Sequence, residues 1–582
     1  MQKADVYKHK DKIISIIIEI ANLNDPTTEK VQRIFRKYSH DGKLFKKSYV
    51  LSLYKDLQKS KEVNLSETQE RQFYSLIQLK KTRTLSGVTP VTVLTKPYPC
   101  PGKCIFCPND VRMPKSYLSD EPGAQRATRN KFDPYQQTYN RLLAYKQIGH
   151  PTDKVELIIL GGTWTSYPET YQIWYVKRCF DAMNDFKRKT SNSNSDKIKD
   201  QPFSEKALEE VHGESLDRTY NQVISKALAP KLKDAQKEKT TWDELFSVQH
   251  ENESAETRCI GLVIETRPDE ITEKEVIRIR KLGATKVQIG FQSLNDKVLK
   301  LNNRGHDVNT TRDAVSLLRR AGFKIHAHWM PNLYGSSPKD DIKDFKKMFT
   351  DDGFKPDELK IYPCSLIESA ELMAYYKDGR WKPYTNDELL YVLKEIYKLT
   401  PAYCRITRMI RDFSSDDIID GNKKTNFRQI VEEEIKKEKF KLLEIRSREV
   451  RGTEISMDDL HLDIVHYKTA VSEEQFLQFV TKDNQIAGFL RLSLPKGAKH
   501  FIDELEGSAI IREVHVYGPS IEIGEYKEGK AQHLGIGKEL IAKAKEIAKE
   551  KGYKKIAVIS SIGTREYYRK QGFKDSNLYQ TQ

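Results

Sequence analysis

The 582-residue chain carries 99 Lys+Arg against 83 Asp+Glu, a net charge of +16, and is 38% hydrophobic. At 67.5 kDa it exceeds what one hydrophobic core organises, so two or three domains are expected. The longest early apolar run, residues 14–18, ends at Glu19, which is too short to span a bilayer, and no small-residue secretory cleavage site follows; a cytoplasmic enzyme with no membrane partner is expected.

Residues 1–85 predict helices over 7–23, 28–38 and 66–79, where apolar residues recur at three-to-four spacing; residues 44–50 add a Lys-rich patch. Residues 1–90 hold 18 Lys+Arg against 10 Asp+Glu, an excess of +8 and half of the total. Such an excess favours a polyanion, nucleic acid before membrane, although a solvated surface also explains it. From residue 91 the pattern changes. Short β-rich runs at 91–95, 155–160, 260–265, 287–291, 325–330 and 359–362 alternate with amphipathic stretches at 135–148, 273–282, 310–321 and 340–349. Strand and helix repeated about six times predict a parallel α/β domain over 86–400. A polar segment, 187–257, interrupts the rhythm and reads as a partly helical, mobile insertion. Residues 401–460 predict a basic helical bridge, with Arg405, Arg408 and Arg411 on one face. A mixed α/β domain fills 461–582, with strands at 476–480, 485–494, 510–516 and 555–559 and a long helix from Gly535.

Three of the seven cysteines, Cys100, Cys104 and Cys107, fall within eight residues. Thiolates at C-x3-C-x2-C spacing can hold three irons of a [4Fe–4S] cluster and leave the fourth iron open to a small molecule. Structural zinc has four closed ligands, and no fourth Cys or His follows within about twenty residues. The motif follows the first strand, at the barrel end where chemistry collects. With Phe106 before the last cysteine it resembles the radical S-adenosylmethionine (SAM) enzymes, which implies a partial (β/α)6 barrel. Gly161-Gly162-Thr163 after the second strand resembles the motif that meets the amino group of SAM, and a double glycine lets backbone approach a ligand. Glu265 and Gln292, ending the third and fourth strands, could hold ribose hydroxyls. Each of these also reads as a polar lid over the barrel. His306, His326, His328 and Cys364 near the strand ends read as hydrogen-bonding groups before a second metal site.

Gln532-His533-Leu534-Gly535-Ile536-Gly537-Lys538 opens the long helix. Its glycines free N–H groups for a pyrophosphate at a helix N-terminus. With Glu513 and His515 on the preceding strand and Tyr567-Tyr568 downstream, it resembles the acetyl-CoA site of GNAT acetyltransferases.

Both halves in one chain resemble the Elongator catalytic subunit family, in its stand-alone prokaryotic form. The resemblance rests on Lys131-Phe-Asp-Pro-Tyr-Gln-Gln-Thr138, Glu265-Thr-Arg-Pro-Asp269, Ile511-Arg-Glu-Val-His-Val-Tyr-Gly518 and Ile559-Ser-Ser-Ile-Gly-Thr-Arg-Glu-Tyr-Tyr-Arg569. It implies a tRNA carboxymethyluridine synthase that modifies carbon 5 of the wobble uridine by a radical mechanism, using acetyl-CoA and SAM. It implies acetyl-CoA contacts at Lys154, Glu513, Val514, His515, Val516, Ile536, Gly537, Lys538 and Tyr568, with Lys154, Glu513 and Tyr568 catalytic. tRNA is the expected partner, with the basic residues 1–85 binding it; a homodimer or accessory subunits stay open. A protein lysine acetyltransferase would leave the cysteines without work. A tRNA-binding scaffold would not need them intact.

Overall fold

The computed structural model describes residues 8–79, 84, 86–186, 220–228, 238–450, 455–497, 499–517 and 535–582. Gln532 and residues 187–219 and 229–237 of the polar segment lie outside them.

Four helices open the chain: α1 (Lys10–Ala21), α2 (Thr28–Lys37), α3 (Lys47–Lys59) and α4 (Glu67–Ile77). The Thr27 hydroxyl accepts the Lys30 N–H to start α2, and Ser66 with Gln69 forms a capping box on α4, each satisfying N–H groups that the helix cannot. The sequence marked α3 only as a Lys-rich patch. Its apolar face, Val50, Leu51, Tyr54 and Leu57, packs with Ile13, Ile16, Ile20 and Phe73 in a core of its own. That burial outweighs a helix start without a side-chain cap.

The barrel strands are β1 (Thr89–Leu94), β2 (Lys154–Leu160), β3 (Arg258–Thr266), β4 (Lys286–Gln292), β5 (Lys324–Trp329), β6 (Glu358–Ile361) and β7 (Arg405–Arg408). They pair in sequence order, every pair parallel. The six expected strands are present and the seventh is an addition. It corrects the bridge: Arg405 and Arg408 belong to a strand, so no helical face carries them with Arg411. Ile406 is fully buried on the sheet, and that burial decides the strand. The three arginines diverge, Arg405 to Glu449 at 2.6 Å, Arg408 to Asp412, and Arg411 to Glu121 at 2.9 Å. A helix does follow at Phe427–Lys437.

Helices α5 (Pro134–Gln147) and α6 (Glu169–Asp185) cover the outside of β1 and β2. Within the polar segment, α7 (Tyr220–Leu228) and α8 (Trp242–Asn252) are formed, as its partly helical reading expected. The segment supplies part of the fold, since Asn252 bonds Asn184 of α6 at 2.6 Å and the Cys259 N–H at 2.8 Å.

The last domain holds β8 (Leu460–Lys468), β9 (Ser472–Thr481), β10 (Ile486–Pro495), β11 (Ser508–Val516), α9 (Ile536–Glu550), β12 (Lys555–Val558), β13 (Lys574–Asp575) and β14 (Gln580–Thr581). The sheet order is β8-β9-β10-β11-β12-β14-β13. Strands β8 to β11 are antiparallel and β11–β12 is parallel. Arg491 pairs with Glu513 but Leu492 pairs with Ile511, so Arg512 is the extra residue of a bulge. A bulge re-aims side chains. Here it sends the fully buried Arg512 onto both carboxylate oxygens of Asp357, at 2.8 and 2.7 Å.

That contact is part of a seam between the domains. Arg491 donates to the Tyr403 carbonyl at 2.6 Å, Arg280 to the Ser560 carbonyl at 2.7 Å, and Ser561 to the Cys259 carbonyl at 2.9 Å. Asp357, Arg280 and Cys259 stand at or before the starts of barrel strands or on the helix that precedes one. The second domain therefore caps the N-terminal end of the barrel, opposite the cysteine loop. Among the described residues no helix is long and apolar enough to cross a membrane.

Candidate active site through the barrel

The strands enclose a cavity of about 1060 Å³ that reaches Cys100, Cys104 and Cys107 at one end and Glu513, His515 and Tyr568 at the other. Between these ends, alternate residues of successive strands face inward: Glu156, Gln288, His326, His328, Lys360 and Thr407 line it.

At the cysteine end, the Cys104 Sγ lies 3.6 Å from Arg304 Nη1 and 3.9 Å from Arg267 Nη1. The bond from Cys107 pulls the Cys104 thiol well down; burial opposes this, and the two guanidiniums assist it. Cys107 is pushed up by the same bond and by burial. Cys100 Sγ lies 3.6 Å from the Thr163 hydroxyl. All three cysteines are free of disulfides. Among the described residues no three His, Cys, Asp or Glu gather tightly enough for a single metal ion. A cubane spreads its thiolates over different irons, and three unbridged thiols on one loop at a cavity mouth fit that donor set.

The two glycines are sterically required. Gly161 has φ 143° and a Cβ there would fall 1.7 Å from Thr95 Oγ1; Gly162 has φ 87° and its Cβ would meet the Lys115 carbonyl at 3.2 Å. Glu265 accepts the Tyr117 hydroxyl at 2.7 Å. Gln292 holds φ 65°, an uncommon conformation for a residue with a side chain, and its buried Oε1 has no hydrogen-bond partner. Such a conformation and an unmet acceptor are uncommon on a buried wall.

The histidines do not converge on a point. His326 Nε2 meets the Thr407 hydroxyl at 2.9 Å, His328 Nε2 meets Gln288 Oε1 at 3.0 Å, and His306 lies 3.6 Å from Asp269. Burial drives His326 and His328 well below the ordinary imidazole range, so both are neutral. Cys364 lines the same cavity and packs in the apolar cluster that holds Cys104, Phe106, Leu366 and Trp381.

At the other end, Glu513 is held by Lys324 and by Arg491 Nε at 2.8 Å. Burial opposes its ionisation, but these two cations keep it below the usual range. Tyr568 is buried, edge-on to Phe573 with ring centroids 5.8 Å apart, and burial raises its phenol well above the ordinary value. Burial lowers His515 to about 4; its Nε2 is unpartnered, and its ring stacks on Phe489 at 5.6 Å. Val514 and Val516 share that strand, and Val514 lines the cavity. Gly535 starts α9 with φ 75°. A Cβ on Gly537 would lie 2.8 Å from the Tyr567 hydroxyl, so a side chain there would displace Tyr567. Ile536 is buried under the helix start, and Lys538 is exposed on its first turn.

Lys154 begins β2 opposite Arg258 and is not among the cavity-lining residues, and neither are Gly161, Val516 and Gly535 to Lys538; burial lowers the pKa of Lys154. Sequence reasoning also missed residues. Arg267 stood inside a quoted motif without a role. Arg304, Lys286, Lys324 and Lys360 lack any local pattern, because only closure of the barrel brings them inward.

The Radical SAM superfamily matches residues 229–348, the Radical_SAM C-terminal domain 356–437, and the acetyltransferase (GNAT) family 441–573. The tRNA uridine(34) acetyltransferase of Dehalococcoides mccartyi is 36% identical over 500 residues, 85% of this chain and 97% of that protein. Human Elongator complex protein 3 is 31% identical over 520 residues, 86% of this chain and 85% of that protein. Among solved structures, the archaeal Methanocaldococcus infernus Elp3 lacking its N-terminus superposes with a TM-score of 0.66 at 34% identity, covering 85% of this chain and 99% of that one. Two catalytic folds in this order, joined by one cavity, and relatives matched over most of their length place the chain in the Elongator complex protein 3 family of radical SAM and GNAT tRNA uridine(34) acetyltransferases.

Proposed function

We propose that the chain is a tRNA carboxymethyluridine synthase acting on carbon 5 of the wobble uridine, with acetyl-CoA and SAM as co-substrates. The supporting observation is the single cavity from the three cysteines to Tyr568, because an acetyl carbon can meet a radical only where both sites share one enclosed space.

Cys100, Cys104 and Cys107 would hold a [4Fe–4S] cluster, which when reduced supplies the electron that cleaves SAM into a 5′-deoxyadenosyl radical. Arg267 and Arg304 favour the Cys104 thiolate that ligation needs. Gly161 and Gly162 let backbone reach the amino group of SAM, beside Thr163. Glu265 and the unpartnered Gln292 Oε1 suit ribose hydroxyls. At the other end, Gly535 to Lys538 would face the pyrophosphate of acetyl-CoA. Tyr568 stays protonated at neutral pH, which suits a proton donor to the departing thiolate. Glu513, paired to Lys324 and Arg491, is a weak base; its role is to hold the strand beside the acyl group to the barrel. Lys154, outside the cavity lining, would reach CoA from the rim of the seam. Exposed Arg36 at the end of α2 and Lys43 and Lys46 in the connection to α3 would contact tRNA phosphates.

Anaerobic incubation of the reconstituted enzyme with tRNA, SAM, reductant and methyl-deuterated acetyl-CoA, followed by nucleoside analysis, tests this. Carboxymethylated wobble uridine and deuterium in 5′-deoxyadenosine are expected. Acetylation of peptide lysines with tRNA left unmodified would overturn the reading in favour of a protein acetyltransferase.

A further inference from the structure

The polar segment between β2 and β3 touches the cysteine loop and its flanks at four points. The Asn221 side-chain amide on α7 bonds both peptide groups of Cys100: its Oδ1 accepts the Cys100 N–H at 3.0 Å, and its Nδ2 donates to the Cys100 carbonyl at 2.7 Å. Next to it, the Tyr220 hydroxyl donates to the Met113 carbonyl at 2.8 Å, and Lys115 Nζ lies 5.0 Å over the Tyr220 ring. Farther along the segment, Glu238 forms a buried ion pair with Lys96, four residues before Cys100. Val223 and Ile224 pack with Val111, beyond Cys107.

Cys100 needs this support. It stands between Pro99 and Pro101, which supply no N–H for a turn, and it lies beyond the end of β1. The Cys104 thiol has two arginines facing it. The corresponding grip on Cys100 is on its backbone and comes from Asn221. A side-chain amide that satisfies both the N–H and the carbonyl of one residue fixes that residue as strand pairing would.

We propose that α7 is a splint for the cluster loop, and that Asn221, with Glu238 behind it, is a positioning residue that holds Cys100 in ligating geometry. This inference rests on the cluster assignment above. Asn221→Ala and Asn221→Leu are compared with wild type and with the exposed control Ser225→Ala after anaerobic reconstitution. Iron loss to a chelator is followed, together with the electron paramagnetic resonance spectrum of the reduced cluster. Both Asn221 variants should release iron about tenfold faster, the weight of two lost hydrogen bonds, with a shifted spectrum and an unchanged thermal midpoint. Asn221→Asp, which keeps the acceptor and loses the donor, should fall between them and wild type. Wild-type iron retention and spectrum in Asn221→Ala would overturn the splint, as would equal loss in Ser225→Ala. If Asn221→Ala does not fold, Glu238→Gln and Asn221→Asp carry the same comparison. Wild-type protein that takes up no cluster would instead overturn the cluster assignment itself.

Discussion

The two ends of the barrel cavity are built on opposite principles. The cysteine end holds two glycines at positive φ in close quarters, a glutamine at positive φ with an unmet acceptor, and a thiol facing two arginines. The seam end holds charges in numbers but pairs them: Asp357 with Arg512 and Arg491, Glu474 with Arg512, and Glu513 with Lys324 and Arg491. Burial opposes the ionisation of Asp357, yet the arginines hold it well below the carboxylate range. Completed pairs hold two domains in register, while the unpartnered His515 Nε2 at the same end lines the cavity. Polarity alone therefore does not distinguish chemistry from architecture in this cavity.

The largest effect should come from the thiol end. Cys104→Ser is expected to abolish iron uptake and uridine modification together while leaving the thermal unfolding midpoint within a few degrees, as iron analysis and calorimetry would record. A large drop in midpoint would mean that this cysteine is also architectural.

Asp357→Asn should do the reverse. Removing one partner of a buried ion pair leaves the arginines uncompensated, at a cost of about 3–5 kcal/mol. Denaturant unfolding should show the loss, and reconstituted protein should still bind iron.

His515 gives the comparison a pH axis. Burial lowers its pKa from 6.5 to about 4, so the unfolded chain takes up the proton first. Its contribution to stability is complete above about pH 6.5 and is lost as pH falls toward about 4, by at most about 3 kcal/mol. In His515→Phe the stability profile should be flatter in that window; an unchanged slope would assign the pH dependence to other groups.

The smallest expected change is Tyr568→Phe. Loss of a general acid should slow tRNA-stimulated thioester turnover roughly 10²-fold and leave SAM cleavage intact. Loss of SAM cleavage alone would move the tyrosine's role to the other end.

Much of the site was legible because its signals are local. The spacing of Cys100, Cys104 and Cys107, the Gly161-Gly162 pair and the Gly535–Lys538 turn each need particular residues within one loop, whatever surrounds them. The six strands from β1 to β6 were legible because alternation of apolar runs and amphipathic helices records which face is buried. The failures share a cause. The bridge arginines spaced by three resemble a helix face, but the buried Ile406 and the open edge of β6 make Arg405–Arg408 a strand. The polar segment reads as an appendage because few of its residues are apolar, yet Asn221, Glu238 and Asn252 anchor it through single polar contacts that no periodicity encodes.

The sequence by itself determined the two folds, their order, and the candidate residues within each, because those constraints act over a few neighbouring positions. Only the tertiary structure decided that the GNAT sheet caps the N-terminal end of the barrel, that one cavity connects the thiols to Tyr568, and that Glu513 pairs with Lys324 and Arg491. Those outcomes depend on residues far apart in the chain, such as Asp357 with Arg512 and Lys324 with Glu513, whose charges are costly to bury alone and become tolerable only when packing brings their partners into contact.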